Sequence, residues 1–360
     1  MIIYYVKERQ SLVELCRELQ LENPEYLKEY HNQNCSLTER FEGDLTRGMK
    51  LYIPSSQEVL EINKKIREEN KSFYNFPVNG RFPFEFKLWV GTYQITQTTY
   101  SDDIILTKYD NKIRLHFEGI KNGYYHFLFS AFDFRRNEDT SDTKADALAQ
   151  MCIETIYPIR YVIDIDGKLM DVVLTKKTED IISELDAIKN FFQDQYSSGY
   201  IEKIKDVVAN PETISKKFKN TLLNTFMFGE FYRTKLEGWT DSEIYYDFYP
   251  WIFEAQPIRF EFQNTLVPKD SLDDEWIKIL QKGISVDNRS LEDLYLEHSH
   301  YDDNTEITGK SIDCEHFAEY IFNREKCSLQ KIEARFQCFR GGSTISEDFS
   351  LEKIPNNYYI

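Results

Sequence analysis

The sequence predicts an α+β protein in two unequal parts: a βααβ module over 1–54, a helical linker over 55–79 and a larger domain over 80–360. Three observations lead there. The first fifty residues run from an apolar strand through helical spacing and back to a strand. From residue 87 apolar and polar residues alternate with period two between turn signals. Between 177 and 228 the spacing turns helical, and after 243 the strand pattern returns. Strands, then helices, then strands imply an antiparallel sheet with a helical insertion.

The module comes first. Ile3 to Val6 form a short apolar strand. Ser11 with Glu14 makes a capping box ahead of Leu12, Leu15, Cys16 and Leu19, which fall on one helix face. Asn23-Pro24 starts a second helix, with Pro at its first position, whose inner face is Leu27, Tyr30 and His31. A polar loop containing Gly43 leads to Leu45, Gly48, Leu51, Ile53 and Pro54, a strand closed by proline. Leu15 and Leu51 are expected to share one small core. The linker stretch 55–72 has a thin apolar side of Val59, Leu60, Ile62 and Ile66. It is expected to stand as a stalk, with the aromatic stretch Phe73 to Phe84 clamping its base.

In the larger domain, strands are expected over 87–134 and 159–174, helices over 177–228 and strands again over 243–340. The first block divides into four strands at Ser101-Asp102-Asp103, Asp110-Asn111 and Asn122-Gly123, the last a hairpin signal. A short helix is expected near 144–156, and Asp166-Gly167 joins the runs Ile159–Ile165 and Lys168–Val173. Thr178 caps a stripe of Ile181, Leu185, Ile188 and Phe192, Ser197-Ser198-Gly199 interrupts it, and Asn210-Pro211 starts a further helix. Later strands are read at 243–249, 258–267, 276–281 and 329–339.

Residues 3–54 resemble the LysM module. The residues in step with that family are Tyr4, Val6, Ser11, Leu12, Leu15, Cys16, Asn32, Leu45, Gly48, Leu51, Ile53 and Pro54. The resemblance implies binding of peptidoglycan or another N-acetylglucosamine polymer. The groove would lie between the loop after the first strand and the loop before the last. Its candidate residues here are Arg9, Gln10, Ser11, Asn32 and Gly48. Arg9-Gln10 replaces the family's Gly-Asp, which removes the close backbone approach that glycine permits.

Composition narrows the function. With 44 Lys and Arg against 61 Asp and Glu, the 360-residue chain carries a net charge of −17. That opposes binding to nucleic acid and to anionic membranes. Aromatics make up 15 %, with 24 Tyr and 26 Phe, which favours strands and a large core. No apolar run approaches the roughly 18 residues of a membrane span. Met1-Ile2-Ile3 runs straight into the first strand without a basic or apolar leader, so a cytoplasmic location, or export by a leaderless route, is expected. The cysteines Cys16, Cys35, Cys152, Cys314, Cys327 and Cys338 form no C-x-x-C pair and no disulfide framework. No cofactor motif is found, and neither a phosphate-binding loop nor a Gly-x-Ser-x-Gly elbow is present.

Two stretches mimic chemistry. Ile312-Asp313-Cys314-Glu315-His316-Phe317 resembles the cysteine motif of papain-like acyltransferases and endopeptidases. Such a thiol needs a helix N-terminus to lower its pKa and a histidine base. His116, His126, His298 and His300 are the upstream candidates, and none sits in that family's setting. The plainer reading is an element packing Phe317, Tyr320 and Ile321 inward. His298-x-His300 with Asp302 and Asp303 could hold a metal, but lacks a convincing third ligand. The expectation is therefore a non-catalytic adaptor. Its architecture is reminiscent of LysM proteins of contractile injection systems, the type VI secretion or phage-tail-like machines, where the module docks other proteins of a multi-subunit apparatus. The rival expectations are a peptidoglycan-binding protein and a cell-wall-targeted effector with Cys314 as nucleophile.

Overall fold

The computed structural model describes residues 2–8, 10–69, 71–72, 85–137, 139–140, 144–236, 243–252, 254–267, 275–296, 312–324, 327–340 and 342–355. Arg9, the aromatic clamp at 73–84, the His298–Asp303 segment and Gly341 lie outside the described residues.

The N-terminal unit consists of β1 (Ile2–Tyr5), α1 (Leu12–Leu19), α2 (Pro24–Asn34), β2 (Lys50–Ile53) and α3 (Ser56–Glu68). The caps form where local chemistry places them. Ser11 N donates to Glu14 at 2.8 Å and Glu14 N to Ser11 Oγ at 3.1 Å. Asn23 accepts from Glu25 N at 2.9 Å, with Pro24 opening the helix. β1 and β2 pair antiparallel, Ile2 opposite Ile53. Leu15, Leu27 and Leu51 are buried in one cluster with Val6, Cys16 and Ile53.

The same cluster contains Val59 and Ile66 of α3, which corrects the stalk expectation. Helix α3 lays Val59, Asn63 and Ile66, spaced i, i+4 and i+7, on the module. Asn63 looks like a solvated position in the sequence. It is buried because both ends of its amide are used: Oδ1 accepts from Glu22 N at 2.9 Å and Nδ2 donates to Gln20 O at 2.8 Å. Arg67 also donates to Glu22. Leu60, read as part of the inner side, faces outward.

The larger part is mixed α/β with a large antiparallel sheet and several helices. A helical turn α4 (Phe86–Trp89) precedes β3 (Gly91–Ser101), β4 (Ile104–Lys121), β5 (Tyr124–Arg136) and the short β6 (Asp139–Thr140). Next come α5 (Lys144–Ile156), β7 (Ile159–Ile163), β8 (Leu169–Leu174) and four helices, α6 (Thr178–Phe191), α7 (Gln195–Ala209), α8 (Pro211–Lys219) and α9 (Leu222–Phe228). A 3-10 turn at Glu230–Arg233 leads to β9 (Tyr245–Tyr249), β10 (Ile258–Val267), β11 (Trp276–Ser285), α10 (Leu291–Leu294), β12 (Asp313–Asn323), β13 (Leu329–Arg340) and β14 (Ser343–Ile354). The spatial order is β8-β7-β5-β4-β3-β14-β13-β12-β11-β10-β9, with β6 paired to β5.

This sheet is curled. β7 and β9 stand second and eleventh in the order, so nine steps of ~4.8 Å would set them about 43 Å apart on a flat sheet. Yet Phe228 of α9 stacks edge-on against Tyr161 of β7 at 5.9 Å, and Phe226, two residues earlier, meets Tyr249 of β9 at 5.3 Å. One short helix can touch both strands only if the sheet wraps around it. Phe226 also stacks on Phe349 of β14 at 4.8 Å. The large aromatic complement therefore fills the concave face, where Phe226, Phe231, Tyr249 and Tyr320 are buried.

Several local expectations change. Residues 103–120 form one strand rather than two: Asp110-Asn111 marks a register shift against β5, a bulge inside β4. Residues 87–89 belong to the helical turn α4. Ser197-Ser198-Gly199 lies within α7, and the break falls at Phe192–Asp194 because Asp194 caps α7 through Ser197 N at 2.9 Å. Lys177, not Thr178, flanks the start of α6. β12 falls inside the expected strand block 243–340 without a signal of its own, and β14 extends the sheet beyond it.

Candidate functional site

The two loops assigned to the sugar groove do adjoin. Val6 N donates to Met49 O at 3.0 Å and Gly48 N donates to Val6 O at 2.9 Å. Gly48 has φ +77°, a left-handed turn conformation that suits glycine. Glu8 and Arg47 face each other across the loops at 3.4 Å, both exposed, an ion pair of small energetic weight.

The candidate residues are largely occupied with holding the unit together. Gln10 Oε1 accepts from Tyr4 Oη at 2.9 Å and from Lys7 N at 3.2 Å. Its Nε2 is shut away from solvent and has no hydrogen-bond partner among the described residues. Ser11 is spent on the cap of α1. Asn32 is bound to the second of these loops: its Nδ2 donates to Phe41 O at 3.0 Å and its Oδ1 accepts from Phe41 N at 3.1 Å, pinning the loop between α2 and β2. Gln10 is thus tied to the loop after β1, while Gly48 and Asn32 are tied to the loop before β2; Arg9 lies outside the described residues.

His31, read only as an inner-face residue, is a second pin. Tyr52 N donates to its Nδ1 at 3.0 Å, so Nδ1 carries the lone pair and Nε2–H donates to Glu39 O at 2.9 Å. One neutral tautomer therefore ties β2 to the turn at Leu37–Glu39.

The thiol reading is overturned. Cys314 sits in strand β12, directly opposite Cys338 of β13, and both are buried. No helix N-terminus faces it from its own element. Its thiol is pushed far above the usual range, first by the hydrogen bond with Cys338 and then by burial. Strand alternation turns Cys314, His316, Ala318, Tyr320 and Phe322 inward, so Phe317 faces out, contrary to the plainer expectation as well.

His316 cannot serve as the base. Trp251 Nε1–H can only donate, and it does so to His316 Nδ1 at 3.1 Å. Nε2–H therefore donates to Gln281 Oε1 at 2.7 Å. Gln281 Nε2 donates on to Tyr245 Oη at 2.6 Å. Burial drives the imidazole pKa down to about 3. Both ring nitrogens are spent on a polar chain inside an aromatic core, and a satisfied chain of this kind makes the packing specific. His116 and His126 lie on β4 and β5, four and five places from β12 in the sheet order. Nothing in the sequence announced this chain, because its members come from β11, β12 and the segments around β9.

Among the described residues no group of three or more His, Cys, Asp or Glu side chains could hold a metal ion. No described helix is long and apolar enough to cross a membrane. No protein-family description matches the chain. No curated protein matches it either. Among solved structures it matches a protein of unknown function from the DUF3598 family of Nostoc punctiforme, at 9 % identity, over 75 % of this chain and 97 % of that one. The TM-score of that match is 0.12, so no argument is built on it.

Proposed function

We propose that the protein is a non-catalytic adaptor whose N-terminal unit is a LysM-like module used to dock another protein. The assembly is of the contractile-injection kind, such as a type VI secretion or phage-tail-like apparatus. The element order of the module, its paired strands and the shared burial of Leu15 and Leu51 support the first part. The assembly is carried by likeness of architecture alone.

The observation that favours protein over sugar is the use of the groove atoms. Gln10 Oε1, Ser11 Oγ and both ends of the Asn32 amide are committed inside the unit. Sugar recognition needs such groups turned outward. The unit also turns apolar side chains outward: Ile3 and Tyr5 of β1 are 53 % and 62 % exposed, and Leu60 of α3 is 71 % exposed. Exposed apolar side chains on one small unit suit a protein interface. The glycan reading keeps one point in its favour, the adjoining loops.

The test uses the full-length protein in two arms. One mixes it with peptidoglycan sacculi and chitin; the other mixes it with purified tube, sheath and baseplate proteins of a contractile apparatus. The adaptor reading expects the protein to stay in solution over both polymers. It should co-elute with one apparatus protein, and Ile3→Glu with Leu60→Glu should abolish that. Saturable retention on peptidoglycan that Gln10→Ala removes would overturn it in favour of the wall-binding reading.

A further inference from the structure

A cleft of about 400 Å³ opens between α5, α7 and α8, the bulge of β4 and the end of β5. That lies within the ~300–1,000 Å³ range of small-molecule sites. Its walls are mainly apolar and include Phe134, Ile153, Tyr200, Ile204, Val207 and Phe218. The helices around it pack in one core through Cys152, Ile201 and Ile214, and polar ties fix their ends. Lys144 of α5 pairs at 2.7 Å with Asp194, the cap of α7. Asn210 caps α8 through Glu212 N at 3.0 Å. Protein interiors otherwise close up to crystal-like density.

Two of the charges on the lining are bases outside any ion pair among the described residues. Arg136 and Lys217 both line the cleft. Arg136 lies over the Tyr109 ring at 5.8 Å, and Lys217 belongs to the last turn of α8. Among the described residues neither is in an ion pair, although the chain has 61 acidic against 44 basic side chains. The other charges at the cleft are engaged. Arg135 pairs with Asp133 at 3.3 Å. Asp110 accepts from Thr96 Oγ1 at 2.6 Å and pairs with Lys108. Asp146 has a partner of its own. An apolar slot lined by two cations outside any ion pair is complementary to a chain with an anionic head.

We propose that this cleft binds one fatty acid, the aliphatic chain lying between the helices and the carboxylate on Arg136 and Lys217. A volume near the low end of the range takes one chain rather than two. The carboxylate would gain charge-assisted hydrogen bonds, which are about twice as strong as neutral ones. This site is independent of the N-terminal unit and of the adaptor reading.

The experiment is calorimetric titration of the full-length protein with octanoate, decanoate and dodecanoate below their micelle concentrations, beside the matching alkanols. The expected result is one site whose affinity rises about fourfold per methylene, from ~0.8 kcal/mol per buried CH₂. The alkanols should bind about tenfold more weakly. Arg136→Glu with Lys217→Glu should cost the acids about tenfold and leave the alkanols unchanged, which separates a lost head-group contact from a lost fold. Ile204→Trp should weaken acids and alkanols alike by filling the slot. If that variant does not fold, the exposed charge-reversal pair decides. The proposal is overturned by an absence of saturable heat, by several equivalents bound, by equal affinity for acid and alkanol, or by wild-type binding in the charge-reversed protein.

Discussion

Glu347 offers a quantitative check on the buried side of the sheet. It lies on β14 and is 6 % exposed. Gln97 donates a hydrogen bond to its Oε1. Burial above all, with a smaller push from the Asp348 charge, raises its carboxyl from 4.5 to about 7. The native state therefore keeps a proton between pH 4.5 and 7 that the unfolded chain has released. Where the native state binds more protons, stability falls as pH rises. This contribution is full below pH 4.5 and is lost as pH rises through about 7. At 1.36 kcal/mol per pH unit the loss amounts to about 3 kcal/mol. Glu347→Gln removes the titration while keeping an oxygen to accept from Gln97. Urea unfolding of both proteins, followed by tryptophan emission across this window, should show the variant gaining about 3 kcal/mol relative to the parent as pH rises. Trp89, Trp239, Trp251 and Trp276 all lie in 80–360, so the signal omits the N-terminal unit. Only the pH dependence of the difference matters, so a constant offset from the new amide drops out. Two parallel curves would refute the reasoning.

Three further outcomes are expected. Ile66→Ala should cost about 2–5 kcal/mol, and because α3 shares a core with Leu15, tryptic cleavage within 56–68 should quicken in Leu15→Ala too; unchanged cleavage would restore the free stalk. Phe226→Ala should cost the larger part about 3–5 kcal/mol by urea unfolding, since its ring meets β9, β12 and β14; a loss under about 1 kcal/mol would contradict the curled sheet. A thiol reagent read by mass spectrometry should modify half-buried Cys35 and Cys327 first and Cys314 and Cys338 last; rapid, selective modification of Cys314 would bring back the nucleophile.

Short-range chemistry was legible from the sequence because its partners are three or four residues apart. The Ser11–Glu14 box, the Asn23-Pro24 start and the Asn210-Pro211 start all form as spaced. Asn122-Gly123 makes its hairpin, with φ +53° and +82°, the positive values a tight primed turn requires. Period-two alternation located most strands, and Ile258–Val267 matches to the residue. The candidate groove residues were placed less well. Their residue types suit sugar recognition, but the same amides and hydroxyls also suit caps and loop pins. Only the acceptor actually in reach decides between these uses.

The sequence by itself determined the class of fold, the order of the N-terminal elements and the positions of turns and caps, all of them set by neighbours along the chain. Tertiary structure decided the rest, because its partners are remote. β3 pairs with β14, joining 91–101 to 343–354, and β4 runs through its turn signal because β3 and β5 pair with it on both sides. Cys314 became a strand residue opposite Cys338 only once β12 and β13 lay side by side. Asn63 became a core residue only where Glu22 N and Gln20 O reached its amide. In each case a locally ambiguous residue was resolved by the hydrogen-bond partner or the packing face that the folded chain brought to it.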